Sequence, residues 1–417
     1  MPAEDTEEPP APQPLIPHYY YRWMQVCGFH PYSLSHTPGL SRSDLLWMLW
    51  SGGLFILQAI LLQIAGAVMW DVKGDEVSKL DHYALIQYTY INMFLAQYLI
   101  IAILCAVQMK NLYTQVELEV RSYLCFPKTL RKLDRRWRAT AVYNVTFAIS
   151  GAMTELIYKS ATEPSDYWYR DPLSVWGYPV RNYVAQILRF IHKSSVYCAI
   201  TVPYGILITL ALHLRTEFQV IVRILGEFPE REIAFEALRL RYQRLLFAKD
   251  LLSDTFGVFI AVDCFCALLT WCALASETLH FDADHTDRTL LISSSFMMIN
   301  SIVLLLALTL FFDTVSAVQR ALRRIVISDP APEIRDECDK FIGTCNAFDR
   351  AFSAMGCFSV TREYILALMA IFLTYLILIY QARDVQVKVN AIMRKDDIQY
   401  HSLADIILLN ATAIPRK

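Results

Sequence analysis

The chain has 417 residues, with 38 Lys or Arg against 40 Asp or Glu and a formal net charge of -2 at pH 7. Charged residues make up 19% and hydrophobic residues 55%, whereas ordinary soluble domains carry about 25% charged residues. The even charge balance excludes a broad basic footprint for nucleic acid, and low charge with high apolarity excludes a largely disordered chain. The apolar residues gather in runs of membrane length, so the chain reads as a membrane protein.

In chain order, residues 1–44 come first and open acidic and proline-rich. No basic region leads into a short apolar core, so no signal peptide is expected. Residues 1–17 read as disordered, and the first span serves as the insertion signal. A helix crosses the hydrocarbon core with about 20 apolar residues. Residues 45–70 carry no charge over 26 positions, and 83–109 carry none over 27. Residues 139–158 are apolar, with Glu155 near the end. Residues 194–214 hold His213 as their one basic residue, and 255–276 hold a single acid, Asp263. Residues 289–312 and 364–382 are uncharged over 24 and 19 positions. The stretch 403–409 is too short to cross. The expectation is an all-α membrane protein with seven transmembrane helices.

Positive charge stays on the cytoplasmic side. Segments 1–44, 110–138, 215–254 and 313–363 carry 24 Lys or Arg, and the segments on the other side carry 14. The N-terminus is therefore predicted cytoplasmic and the C-terminus extracellular. The predicted outer segments hold none of the 10 cysteines, which fits thiols kept in a reducing cytosol. A glycosylation triplet, Asn410-Ala411-Thr412, falls on the predicted outer tail.

The inner loops read as helix. Residues 230–251 place Ile233, Leu238, Leu240, Leu245 and Leu246 among alternating charges, after Gly226 and Pro229. Such a face must pack on something, and a cytoplasmic extension of the fourth and fifth spans would provide it. Residues 317–327 and 334–354 are two further amphipathic stretches, separated by Asp329-Pro330-Ala331-Pro332. Together they predict a helical cytoplasmic anchor layer near the last span. The layout is thus a cytoplasmic segment (1–44), six spans with a ligand pocket in their outer half (45–312), anchor helices (313–363), a last helix (364–382) and an extracellular tail (383–417).

The last span closes with Thr374-Tyr375, five residues (Leu376 to Tyr380), then Gln381 and Ala382. Before it run Ser353-Ala354-Met355-Gly356-Cys357-Phe358 and a Ser/Thr start at Ser359 and Thr361. This resembles the signature of the arthropod gustatory receptor family, related to the insect odorant receptors. Thr374, Tyr375 and Gln381 match it, whereas Ala382 stands where Phe is usual. The resemblance in architecture covers residues 18–382 and that in motif 352–382. It implies a tastant-gated cation channel at the plasma membrane of chemosensory neurons. Four like or related subunits would surround a central pore lined by the last helix, joined through the cytoplasmic helices. The ligand would be a sugar or a bitter compound.

Thr374, Ile377 and Gln381 share one helix face by their spacing. As pore residues, Ile377 would form a hydrophobic constriction and Gln381 a ring of amide dipoles, with Ala382 widening the outer end. Read without the resemblance, Gln381 is better taken as an interfacial polar residue ending a span. Ligand sites in bundles lie between helices. The candidates are Tyr90 and Asn92 on span two, Thr154 and Glu155 on span three, and Tyr197, Thr201 and Tyr204 on span four. Span five adds Asp263 and Trp271, and span six adds Ser294, Met298 and Asn300. Packing or the interfacial aromatic belt would equally account for each Tyr or Met. A carboxylate inside a span is costly, about 3 kcal/mol on insertion scales, so Asp263 needs a partner or a cavity. It is either a pocket or coupling residue, or a structural polar contact between helices.

A G-protein-coupled receptor and an odorant receptor needing a co-receptor are the alternatives. The charge bias opposes the first, as does the absence of Asn-Pro-x-x-Tyr from the last span. Asp134-Arg135-Arg136 precedes span three instead of closing it. A transporter would call for an internal repeat, and none is visible. No His-rich cluster, paired-cysteine spacing or Gly-rich phosphate loop points to an enzyme, metal site or cofactor, and His192 and His213 stand isolated.

Overall fold

The computed structural model describes residues 16–26, 42, 43, 45–54, 56, 127–162, 182–230, 232–279, 288–328 and 330–381. Most of the predicted first span, all of the second, Ala382 and the tail lie outside the described residues. The described helices are α1 (His18–Val26), α2 (Leu45–Leu54), α3 (Pro127–Thr162), α4 (Asn182–Gly226), α5 (Phe235–Leu279) and α6 (Arg288–Ile327). They continue with α7 (Pro332–Ala347), the short strands β1 (Ser353–Ala354) and β2 (Phe358–Ser359), and α8 (Arg362–Gln381).

Helices α4 and α5 have 45 residues each and α6 has 40. At about 1.5 Å per residue they reach roughly 60–70 Å, about twice a hydrocarbon core of roughly 30 Å. Each must therefore continue well beyond a membrane. The predicted amphipathic stretch 317–327 lies within α6, and 230–251 lies within α5 from Phe235 onward. By length and composition, four stretches could cross a membrane: Thr201–Gly226, Phe235–Leu269, Met298–Ile327 and Arg362–Gln381. The predicted third span lies inside α3, which is not one of these four.

Two helix boundaries differ from the sequence reading. Helix α5 starts at Phe235, not at 230. Residues 227–230 form a turn, across which Phe228 and Phe235 meet edge to face at 6.2 Å. Helix α7 ends at Ala347, so 334–354 is not one helix. Met355 and Gly356 take φ of 55° and 74°, and the chain turns back as a hairpin with Ser353 opposite Ser359 and Ala354 opposite Phe358. Gly takes positive φ without steric penalty. Thr361 then starts α8, its Oγ1 accepting from the Tyr364 N–H at 3.3 Å, as an N-cap does.

Helix α4 is central. It packs against α3 and α6, and α5 and α7 close the other side of α6. One chain of fully buried rings ties α4, α5, α6, α7 and the hairpin together. Phe341 of α7 meets Tyr242 of α5 at 5.3 Å, and Tyr242 meets Phe218 of α4 at 5.5 Å. Phe218 meets Phe311 of α6 at 5.5 Å, and Phe311 meets Phe352 at 5.0 Å. All four contacts are edge-to-face, the geometry the ring quadrupole favours. The layer of α7 and the hairpin is thus fused to the long helices by its core. At the other end of the chain, α1 buries Tyr20, Tyr21 and Met24. The Tyr20 ring lies 4.6 Å from Trp137, and its hydroxyl accepts from Asn144 Nδ2 at 2.8 Å. Gly205 makes this possible, because a Cβ there would meet Tyr20 Oη and Thr140 Cγ2 at 2.7 Å.

Candidate functional site

Asp263 lies in mid-helix on α5, 1% exposed, where α4, α5 and α6 meet. Two hydroxyls donate to its Oδ1: that of Tyr204 from α4, and that of Ser301 from α6 at 3.0 Å. The two hydroxyls lie 3.3 Å apart. Oδ2 is buried with no hydrogen-bond partner among the described residues. Three helices therefore share one carboxylate in an apolar interior, where an unmade bond costs most. Asn300, adjacent to Ser301, accepts from the Tyr143 hydroxyl of α3 at 2.7 Å. A polar thread thus crosses α3, α4, α5 and α6.

Of the predicted pocket residues, Tyr204, Asp263 and Asn300 enter this thread. Tyr143 and Ser301 complete it and were not among the candidates, because nothing in the sequence says which Tyr or Ser of a span faces the carboxylate. Tyr197 packs elsewhere, edge-on to Phe147 at 6.0 Å, over Gly151, where a Cβ would lie 3.0 Å from the ring. Thr154 and Thr201 turn their hydroxyls back onto their own helices, to the Ser150 and Tyr197 carbonyls at 2.8 and 3.0 Å. Neither offers that bond to a ligand. Trp271 is buried, its Nε1 without a partner among the described residues, and its ring meets Phe372 of α8 at 5.8 Å. Met298 is half-buried. Glu155 lies in α3 and Ser294 in α6, but their side chains lie outside what is described, as do Tyr90 and Asn92 altogether.

A second arrangement joins α5 to the start of α8. Lys249, Ser253 and Gly257 are spaced by four and share one face. All three meet the hairpin. Lys249 is buried and donates from Nζ to the carbonyls of Asp349 and Ala351, both at 3.1 Å, while pairing with Asp250. Ser253 Oγ accepts from the Ser353 N–H at 2.7 Å and donates to the Ser353 carbonyl at 3.0 Å. At Gly257 a Cβ would meet Met355 N at 3.0 Å and the Ser353 carbonyl at 3.3 Å. The next link is Arg362, which donates to Asp313 Oδ2 at 2.6 and 3.0 Å and ties the start of α8 to α6. The sequence reading missed this seat, although its four-residue spacing was visible.

Helix α8 is apolar yet largely uncovered by its own chain. Leu366, Ile377 and Tyr380 are 69%, 57% and 66% exposed, and Leu368 alone is fully buried on this helix. Phe372, Tyr375, Leu376 and Ile379 form the half-buried face toward the body. Thr374, Ile377 and Gln381 lie on the open face, and Thr374 Oγ1 bonds only its own helix, at the Ala370 carbonyl. The predicted motif is therefore split: Tyr375 turns inward, Thr374 and Gln381 outward.

Residues 18–385 match the family model described as 7tm chemosensory receptor. The chain belongs to that family. This receptor is a multi-pass membrane protein with the fold of a solved insect olfactory receptor. The structure of OR5 from Machilis hrabei matches with a TM-score of 0.60 at 12% identity, covering 87% of this chain and 97% of that one. The structure of OR5 in complex with eugenol matches with a TM-score of 0.57 at 12% identity and the same coverage. No curated protein matches the receptor.

Proposed function

We propose that the receptor is a gustatory, tastant-gated, non-selective cation channel subunit. Four such subunits, identical or related, surround a central pore lined by α8, at the plasma membrane of chemosensory neurons. The N-terminus lies in the cytoplasm, α7 and the hairpin form part of a cytoplasmic anchor layer (313–363), and the tail 383–417 is extracellular. The observation that carries this reading is the open apolar face of α8. Lipid would cover such a face, but Gln381 is polar on it, and polar groups within a membrane face protein or water. Around a shared axis, Ile377 would close the pore by dewetting and Gln381 would ring its outer end. The polar thread through Asp263 supports a ligand pocket between helices, and the Lys249–Gly257 seat supports a mechanical link from that pocket to α8. That OR5 is found in complex with eugenol supports a small organic molecule as ligand, here a sugar or a bitter compound.

The test is an excised outside-out patch from cells expressing this chain alone, with no nucleotide in the pipette and sugars and alkaloids applied in turn. The expected result is a ligand-evoked cation current whose selectivity or block changes in Gln381→Ala. A response that needs a diffusible messenger, with no current in the patch, would overturn the channel reading in favour of a G-protein-coupled one.

A further inference from the structure

The seam between α3 and α4 ends in a cluster of positive charge that the channel reading does not use. The two helices run antiparallel in a fixed register. Asn144 lies against Gly205, and Thr140 Oγ1 bonds Thr209 Oγ1 at 2.8 Å. One turn further on, Arg136 donates from Nη1 to the Leu212 carbonyl at 2.8 Å. Beside it, Arg215 donates from Nε to Thr314 Oγ1 of α6 at 3.3 Å. Both arginines are half-buried. Burial, and then the charge of Arg215, hold the Arg136 guanidinium below its usual range.

A guanidinium carries five N–H donors, and each of these two spends one on the protein. The carboxylates near them in sequence are all committed to other arginines. Asp134 pairs with Arg138, Glu217 with Arg241 and Asp313 with Arg362. Among the described residues, no carboxylate pairs with Arg136 or Arg215. His213 supplies an independent observation. It lies four residues beyond Thr209, on the α4 face that meets α3. It is 2% exposed, and neither ring nitrogen has a hydrogen-bond partner among the described residues. Arg136 stands just before the predicted span 139–158 and Arg215 just after 194–214, and with those bounds the cluster would lie at headgroup depth. A like-charged pair with spare forked donors and a buried, unpartnered imidazole leaves open what oxyanion oxygens would satisfy.

We infer that Arg136, Arg215 and His213 form a binding site for a phosphate-bearing anion at the membrane boundary, supplied by a lipid headgroup or from solution. The site stands whether or not the receptor is a channel. The test uses the full-length receptor in phosphatidylcholine nanodiscs, titrated with short-chain phosphatidylinositol 4,5-bisphosphate and, separately, with inositol trisphosphate and inorganic phosphate. Arg136→Gln and Arg215→Gln are each expected to weaken binding about tenfold or more. Arg131→Gln, exposed on the same helix, is expected to leave it unchanged. Binding of the lipid alone, lost in the Gln variants, assigns a headgroup. Binding of the soluble phosphates with the same dependence assigns a solution anion. Absence of saturable binding by every probe, or equal binding by wild type and the double Gln variant, overturns the site. Should the Gln variants not fold, Arg136→Lys and Arg215→Lys are read instead. About a threefold loss is expected of them, because a point charge replaces a planar fork, and no loss in both overturns the site.

Discussion

Asp263 receives two hydroxyls on one oxygen, and its other oxygen is buried with no hydrogen-bond partner among the described residues. A purely structural tie would gain nothing from that second oxygen, whereas a ligand-facing group needs it. Two substitutions separate the roles. Asp263→Ala removes the acceptor that the Tyr204 and Ser301 hydroxyls share, and the expected cost is about 1–3 kcal/mol, read as a lowered melting midpoint in detergent. Asp263→Asn keeps an acceptor oxygen for both hydroxyls, removes the charge and puts an NH2 donor in place of Oδ2. The expected outcome is a near-parental melt with the half-maximal agonist concentration raised about tenfold. An unchanged agonist response in Asp263→Asn would make Asp263 a tie between helices and nothing more. The sequence singled out Asp263 because a lone acid in an apolar run is conspicuous. It could not single out Ser301, whose hydroxyl would bond its own helix as readily, as Thr201 does.

At the scale of elements, the hairpin and its seat on α5 show what local patterning hides. The alternation of apolar and polar residues over 334–354 satisfies a helix, but Lys249 and Ser253 hold the backbone at 349–353 in another shape. Tertiary bonds thus override propensity there, just as Phe228 packing on Phe235 delays the start of α5. The four spans on α4, α5, α6 and α8 were legible because a membrane-length apolar run has few other uses, and the Thr361 start was legible as a cap. The two glycines Gly257 and Gly343 give a paired prediction. Both sit inside helices, where Gly→Ala gains about 1 kcal/mol of propensity. A Cβ at Gly343 meets nothing within 4 Å, but at Gly257 it presses on backbone atoms of the hairpin. Gly343→Ala should therefore raise the melting midpoint by about 1 kcal/mol equivalent. Gly257→Ala should not, and Gly257→Val should lower it and reduce agonist-evoked current at equal surface expression. Stabilisation by Gly257→Val would remove the seat from the argument.

At the scale of the whole molecule, the faces that stay open make the proposed orientation and assembly testable. Cys357 at the hairpin turn is exposed, whereas Cys338 and Cys345 of α7 are buried. Burial, then the charges of Asp339 and Glu337, push the Cys338 thiol up to about 11, and burial raises Cys345 too. A thiolate is the reactive form, so both should resist reagents near neutral pH. A membrane-impermeant maleimide should accordingly label Cys357 in inside-out patches or vesicles, with the added label absent from Cys357→Ser. Labelling of Cys357 on intact cells would invert the orientation. Assembly is a separate question, and the two faces of α8 supply its test. If four copies meet around an axis, the open face carrying Thr374, Ile377 and Gln381 is brought against its counterparts, while Leu368 stays inside its own subunit. A single engineered cysteine per subunit can join copies only in pairs, so Gln381→Cys should give covalent dimers on mild oxidation, beyond any formed by the parent. Leu368→Cys should give none. Lipid-facing α8 helices of separate monomers would yield no dimers at either position when the receptor is diluted in nanodiscs at one chain per disc. Under the four-fold arrangement such dilution leaves the assembly intact, and the Gln381→Cys dimer band should persist.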